Sequence, residues 1–218
     1  MENLNRLNIG CSDYPTSGWT NYDISVGLTM AKLGPIPNLL NKLKIISDRQ
    51  LIVVNSYKTN SVKRANVVKK IPEKDNSVDL IYSSHMLEHL DREDAKVCIR
   101  ECLRSLKPGG IFRLCIPDLR SKAEEYIRTG DADAFVYETY LTIPKPKNIL
   151  EKLYLFYTGP RHHSWMYDSQ SLSKVLLECG FSNVSTLEAG ETTIPSDRVG
   201  ELDLSQRADD SFYLEAIK

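Results

Sequence analysis

The chain has 218 residues, 41% hydrophobic and 26% charged, a balance typical of a folded globular protein rather than a disordered one. Its 28 lysines and arginines against 29 aspartates and glutamates give a net charge of -1, so we expect no nucleic-acid partner. No signal-peptide pattern or run of roughly 18 apolar residues occurs, which predicts no membrane span. Five cysteines without framework spacing predict a reducing, cytoplasmic setting.

Short apolar runs alternate with helical patterns along the chain, which predicts an α/β fold with a mostly parallel sheet. Strands are predicted, in chain order, at residues 7–11, 19–24, 66–68, 78–83, 111–116, 184–187 and 212–217. A helix is predicted over 92–106, ended by Pro108-Gly109-Gly110. Another is predicted to begin after Asp168, its N-cap, and to end before Gly180.

Two segments exceed what this alternation needs, residues 25–65 and 131–160. Insertions that follow strands of an α/β sheet often form lids or substrate walls. We therefore predict a single domain over residues 1–218, with these two insertions bordering a site.

Polar or glycine residues follow three of the predicted strands. Gly10 ends the first and would let a ligand approach the backbone closely. Asp23 ends the second, where a carboxylate could bind both hydroxyls of a ribose or only cap its own turn. The two lie closer than the roughly 20 residues of a dinucleotide-binding unit, which argues against NAD and FAD. Ser84 and His85 follow the fourth strand and would face the same cleft.

Four motifs in this order resemble those of class I S-adenosylmethionine-dependent methyltransferases, in particular a bacterial branch often associated with cell-surface polysaccharide genes. They are Leu7-Asn8-Ile9-Gly10-Cys11, Gly18-Trp19-Thr20-Asn21-Tyr22-Asp23, residues 75–89, and Leu106-Lys107-Pro108-Gly109-Gly110. The resemblance implies a Rossmann-like, mostly parallel seven-stranded sheet with an antiparallel last strand and helices on both faces. It also implies S-adenosylmethionine as cofactor and S-adenosylhomocysteine as product.

The resemblance assigns roles to particular residues. Gly10, Cys11 and Ser12 would line the methionine and ribose region, Asp23 would bind the ribose, and Ile24 and Asn66 would contact the adenine. Ser83, Ser84 and His85 would lie beside the sulfonium and the acceptor. The chain departs from the family in having Ser12 where a second glycine is usual, and a loop in place of the helix between the first two strands.

The same resemblance suggests a small-molecule acceptor, such as a sugar or glycolipid intermediate, and methyl transfer to oxygen. An oxygen acceptor benefits from a general base, and His85 is the first candidate because imidazole titrates near neutral pH. Asp118 and His163 follow. Asp118 could equally be a helix N-cap, and the loop carrying His163 could pack on the domain surface.

Two other hypotheses explain the same residues. His85-Met86-Leu87-Glu88-His89 spells the HxxEH pattern of inverted zinc peptidases, which needs a helix carrying both histidines. A turn after a strand is the more natural context, so we expect no metal site and expect His89 to point toward the core. The second alternative is a binding protein that holds S-adenosylmethionine without turnover.

Overall fold

A computed structural model describes residues 4–59, 61–142, 162–194 and 210–218, and the single residues 145, 146, 149 and 152. Seven strands form one sheet in the order β3-β2-β1-β4-β5-β7-β6. The strands are β1 Arg6–Ile9, β2 Thr20–Asp23, β3 Val62–Arg64, β4 Val78–Ser84, β5 Leu106–Pro117, β6 Asn183–Leu187 and β7 Ser211–Ile217. Strands β1 to β5 pair in parallel, and β7 runs antiparallel to both β5 and β6.

This order confirms the predicted fold class. The carboxyl ends of β1, β2, β3 and β4 lie at one edge of the sheet, because these strands are parallel and adjacent. The strand order reverses between β1 and β4, and in open α/β sheets ligands bind outside the carboxyl ends at such a point.

Helices connect the strands. They are α1 Gly27–Ala31, α2 Ile36–Lys42, α3 Asp48–Thr59, α4 Arg92–Ser105, α5 Leu119–Thr129, α6 Ala132–Glu138 and α7 Ser169–Glu178, with a 3-10 turn over Leu87–His89. The predicted caps of α7 are confirmed: Asp168 forms a capping box with Ser171, and Gly180 has a left-handed φ of 110°. None of the helices in the described ranges has the length and apolar character that crossing a membrane would require.

The main hydrophobic core lies between one face of the sheet and helices α4 and α7. Side chains alternate between the two faces of a strand, so Leu7 and Ile9 are buried in this core while Asn8 faces the other way. Cys98 and Cys102, four residues apart on α4, are fully buried there without a disulfide. They act as small apolar side chains.

The opposite face of the sheet carries a smaller apolar cluster, formed by Trp19, Leu80, Tyr82 and Ile194. Beside it lies a buried ion pair between Arg113 and Glu215, with 2.5 Å between Nη1 and Oε1. The Arg113 guanidinium also donates to the backbone carbonyl of Glu191. These contacts attach the segment 191–194 to strands β5 and β7.

Two sequence-based expectations about the first half of the chain had different outcomes. The third strand is Val62–Arg64, and residues 66–68, predicted to be a strand, form a turn in which Asn66 Oδ1 accepts from the backbone N–H of Val68 (3.1 Å). That prediction was wrong because Asn bonding to its own backbone favours a turn. The predicted loop in place of a helix between β1 and β2 is confirmed.

Candidate active site

The loop after β1 is held against the end of β2. The N–H groups of Gly10 and Cys11 both donate to the carbonyl of Tyr22 (2.9 and 3.3 Å). Gly10 has a φ of 66°, and a Cβ built on it would lie 2.3 Å from Cγ of Met86. Only glycine therefore fits at this position, because both the backbone conformation and the space exclude a side chain.

Asp23 joins this loop to the one that follows β2. Its Oδ2 accepts from the N–H of Ser12 (2.8 Å) and its Oδ1 from the N–H of Ser25 (2.6 Å). The residue is 8% exposed. Asp23 thus caps backbone donors, one of the two roles that the sequence allowed, and each of its oxygens keeps a second lone pair for a further donor.

Two cavities lie at this part of the molecule, and Asp23 lines the smaller one. The smaller, about 280 Å³, is lined by Asp23, by Ile24 and by side chains of α1 and α3. The larger, about 640 Å³, contacts Gly10, Cys11 and Ser12, and Ser84, His85 and His89 after β4. Both volumes are close to or within the range of small-molecule sites. The structure thus brings together most of the predicted cofactor residues.

The first insertion forms one wall of the smaller cavity. Its residues Met30, Ile46 and Val53 line that space. Arg49 of α3 pairs with Asp13 (2.7 Å), and both contact the two cavities. Sequence reasoning missed this pair, because nothing in the spacing of the two residues along the chain signals that they meet.

His85 lies at the edge of the larger cavity in a strained conformation. Its φ is 50°, unusual for a residue with a side chain, and its N–H donates to the carbonyl of Cys115 (2.9 Å). Its Nε2 lies 2.8 Å from Oγ of Ser211, and its Nδ1 lies 3.7 Å from Oε1 of Glu88. The ring is therefore held between two protein groups.

Two predicted cofactor residues, Ser83 and Asn66, line neither cavity, whereas Ser84 and Cys11 line the larger one. Ser83 is fully buried on the core face of β4, whereas the next residue, Ser84, lines the larger cavity. Asn66 lies beyond the end of β3, with its amide oxygen occupied by its own turn. Burial, followed by the charge of Asp23, raises the pKa of the Cys11 thiol, which keeps that cavity-lining side chain neutral.

The other two base candidates have structural contacts of their own. Asp118 is the N-cap of α5 and accepts from the N–H of Arg120 (2.9 Å). His163 is 9% exposed, and its Nδ1 lies 2.9 Å from Sδ of Met166. Burial, followed by the nearby His89 ring, lowers the pKa of His163 to about 4, so it is neutral at pH 7. His85 is the candidate that lines the larger cavity.

The HxxEH residues do not share a helix. Strand β4 ends at Ser84, His85 lies in the turn, and Leu87–His89 is a single 3-10 turn. The expectation that His89 points toward the core was wrong, because its ring is exposed and lines the larger cavity while Glu88 is fully buried. The chain forms a single 3-10 turn here instead of an α-helix, so α-helical spacing from His85 does not predict the direction of His89.

Comparison with known proteins adds a match in sequence. Residues 45–114, about a third of the chain, match the model of a family described as "Methyltransferase domain". This segment includes α3, β3, β4, α4 and most of β5. A search of curated proteins finds none with significant sequence similarity.

Solved structures share the fold at low identity. An S-adenosylmethionine-dependent methyltransferase of Methanosarcina mazei superposes with a TM-score of 0.54 at 14% identity, over 100% of this chain and 94% of the other. An S-adenosylmethionine-dependent methyltransferase of Thermotoga maritima, described as a possible histamine N-methyltransferase, superposes with a TM-score of 0.52 at 13% identity, over 100% of this chain and 84% of the other. PigF, solved with S-adenosylhomocysteine, gives 0.53 at 14% over 98% of this chain, which spans only 50% of PigF.

The structural likeness, at such low identity, establishes the fold. The family match adds sequence evidence for a methyltransferase domain over residues 45–114, a segment that includes β4 but not β1 or β2.

Proposed function

We propose that this protein is an S-adenosylmethionine-dependent methyltransferase that acts on a hydroxyl group of a small polar molecule. The observation that carries the proposal is the position of Asp23: a buried carboxylate beside the glycine loop, lining one cavity and bonded to the loop that lines the other. A ribose needs such an acceptor between a space for a base and a space for an amino-acid chain.

The residues present fit this cofactor. Asp23 would accept the ribose hydroxyls, and Ile24, 54% exposed beside it in the smaller cavity, offers an apolar surface for adenine. The segment from Gly10 to Ser12 would border the methionine part in the larger cavity. Asn66 is the proposed partner for the adenine amino group. Its amide oxygen already accepts one hydrogen bond and retains a second lone pair.

The lining of the larger cavity supports an acceptor rich in hydroxyl groups. Asn8, Thr16 and Ser17 face this space with Ser84, and side chains of these types can donate and accept hydrogen bonds to a sugar. The resemblance to a polysaccharide-associated branch points the same way. We therefore propose a sugar or glycolipid intermediate as acceptor.

S-adenosylmethionine supplies an already activated methyl group, so the protein mainly positions the two reactants. The bond from sulfur to the methyl carbon breaks, a bond from the acceptor oxygen to that carbon forms, and the hydroxyl proton must leave. We propose His85 as its recipient. Because Nε2 contacts Ser211, the ring must exchange that contact for the acceptor before it takes the proton.

The experiment has two stages. Calorimetry with S-adenosylhomocysteine should show one site per chain with micromolar affinity, and absence of binding would refute the proposal. Incubation with S-adenosylmethionine and a panel of sugars and nucleotide sugars should then release S-adenosylhomocysteine. Binding without turnover on every acceptor would refute the catalytic part and favour the binding-protein alternative.

A further inference from the structure

One group of side chains beside the larger cavity is not used by the proposed cofactor contacts. Glu88, His89 and His163 each offer one ligand atom, and these three atoms lie within 4.8 Å of one another. Two come from the 3-10 turn after β4 and the third from the segment before α7. We propose that Glu88, His89 and His163 bind one divalent transition-metal ion at the edge of the larger cavity.

The distances suit such an ion. Ligand bonds of roughly 2.0–2.2 Å to Zn²⁺ place neighbouring ligand atoms roughly 3–3.5 Å apart in tetrahedral geometry. Contraction of the observed group by about an ångström would complete the site. Two imidazoles and one carboxylate are a ligand set found in mononuclear zinc and non-haem iron sites, whereas Mg²⁺ and Ca²⁺ prefer oxygen ligands.

The histidine contacts orient the rings for coordination. Nδ1 of His89 lies 3.1 Å from the carbonyl oxygen of His162, and a carbonyl only accepts, so Nδ1 carries the proton and Nε2 the lone pair. Nδ1 of His163 lies 2.9 Å from Sδ of Met166, which assigns Nε2 as its ligand atom; the carbonyl contact is that of His89. Metal-bound histidines commonly donate their other N–H to a carbonyl in this way, which fixes the tautomer.

The two segments that carry these residues are attached to each other before any ion binds. The carbonyl of Glu88 accepts from the N–H groups of Ser164 (2.7 Å) and Trp165 (3.1 Å), and the Ser164 hydroxyl donates to the carbonyl of His89 (3.2 Å). The guanidinium of Arg92 also stacks on the Trp165 ring. These bonds fix the relative position of the three ligands, which lowers the conformational cost of closing a metal site.

Glu88 supplies the negative charge of the proposed site. Its carboxylate is fully buried, and buried carboxylates are stable when they are paired with cations or bind metals. The neighbouring imidazole of His85 is 3.7 Å away. A carboxylate is an ordinary ligand of zinc and non-haem iron, so Glu88 can complete the set formed with His89 and His163.

The site has a role that rests on the proposed function. Three protein ligands leave at least one coordination position, and His89 faces the larger cavity. An acceptor hydroxyl bound there would be oriented and acidified by the ion. This proposal departs from the sequence-based expectation that the protein holds no metal, and its ligand set differs from the HxxEH pattern in having His163 in place of His85.

The test uses Co²⁺ as a spectroscopic probe on the full chain. Titration should give a visible absorption band that saturates at about one equivalent, and addition of azide should shift the band if a position is open. Glu88→Gln, His89→Asn and His163→Asn should each weaken Co²⁺ binding by about tenfold or more. His162→Asn removes the adjacent imidazole and is the matched control, expected within about threefold of the wild type.

Each outcome bears on one statement. Absence of a saturable band, or equal losses in His162→Asn and His163→Asn, would overturn the metal site. If Mg²⁺ competes better than Co²⁺ for the site, the proposal that it binds a transition metal is overturned. If azide leaves the absorption band unchanged, the proposal of an open coordination position is overturned. Glu88 is buried, so Glu88→Gln can lose binding through misfolding. His89→Asn is the second variant, because His89 is exposed and its replacement leaves the core intact. S-adenosylhomocysteine binding, measured on the same samples, reports on the proposed function separately.

Discussion

Replacing Asp23 tests the part of the site on which the cofactor assignment depends. In Asp23→Ala, two charge-assisted hydrogen bonds from the N–H groups of Ser12 and Ser25 are lost. At roughly 1.5–3 kcal/mol for each bond to a charged group, we expect a loss of about 3 kcal/mol or more in the free energy of unfolding. For a chain of this length that lowers Tm by about 6–12 °C.

The same change should remove the ribose partner. We expect the affinity for S-adenosylhomocysteine to fall by about tenfold or more, since the charged acceptor for two hydroxyls is gone. Calorimetry well below the lowered Tm separates the two effects, because the folded fraction is then constant. Asp23→Asn keeps one acceptor oxygen and should recover part of the stability but little of the affinity.

Asp13→Asn is the matched control for Asp23. Asp13 lines the same cavities, and its ion pair with Arg49 lies partly in solvent, where such pairs contribute about 0–1 kcal/mol. It should therefore bind S-adenosylhomocysteine within about threefold of the wild type. If Asp23→Ala binds as tightly as the wild type, Asp23 does not hold the ribose and the cofactor placement is refuted.

Three further predictions concern strain, pH and motion. In denaturant unfolding, His85→Gly should be more stable than His85→Ala by about 1 kcal/mol, because φ of residue 85 is 50° and glycine adopts such values without strain. The reverse order of stability would contradict a strained backbone at this position. Burial opposes ionisation of Glu215, but hydrogen bonds from Thr192 and Thr193, with Arg113, hold its pKa below its usual value. The ionised Glu215 carboxylate therefore stabilises the fold above its unfolded pKa of about 4.3, and this stabilisation is lost as the pH falls. The difference in unfolding free energy between wild type and Glu215→Gln should shrink from pH 6 toward pH 3. A difference that stays constant over this range would refute the argument. S-adenosylhomocysteine should slow amide hydrogen exchange in α3, and unchanged exchange there would show that this helix does not cover the cofactor.

The sequence predicted the sheet well because apolar runs mark buried strands directly. The position of β3 was missed, since Val62–Arg64 is short, polar at its surface and paired only at the sheet edge with β2. A three-residue edge strand has little hydrophobic signal, and its pairing depends on the tertiary contacts of α3 and β2. Asn66 attracted the prediction because two valines follow it, in what proved to be a turn.

The site was predicted in part for a similar reason. Gly10, Asp23 and Ser84 were accessible to sequence reasoning because each follows a strand, and parallel strands end at one edge. Arg49 was missed because it comes from a connecting segment whose path across the sheet no local pattern specifies. The exposure of His89 depends on one 3-10 turn, a feature too short for hydrophobic periodicity to detect.

Backbone strain distinguishes this cleft from an ordinary sheet edge. Ser12 and His85, which are not glycines, have left-handed φ values of 45° and 50° close beyond the ends of β1 and β4. Such residues cost roughly 1–2 kcal/mol each, which the bonds from their N–H groups to Asp23 and to Cys115 offset. Both turns therefore exist before any ligand arrives, so binding does not have to order them. That prior ordering is what lets a short loop replace the helix between β1 and β2 without losing the shape of the cleft.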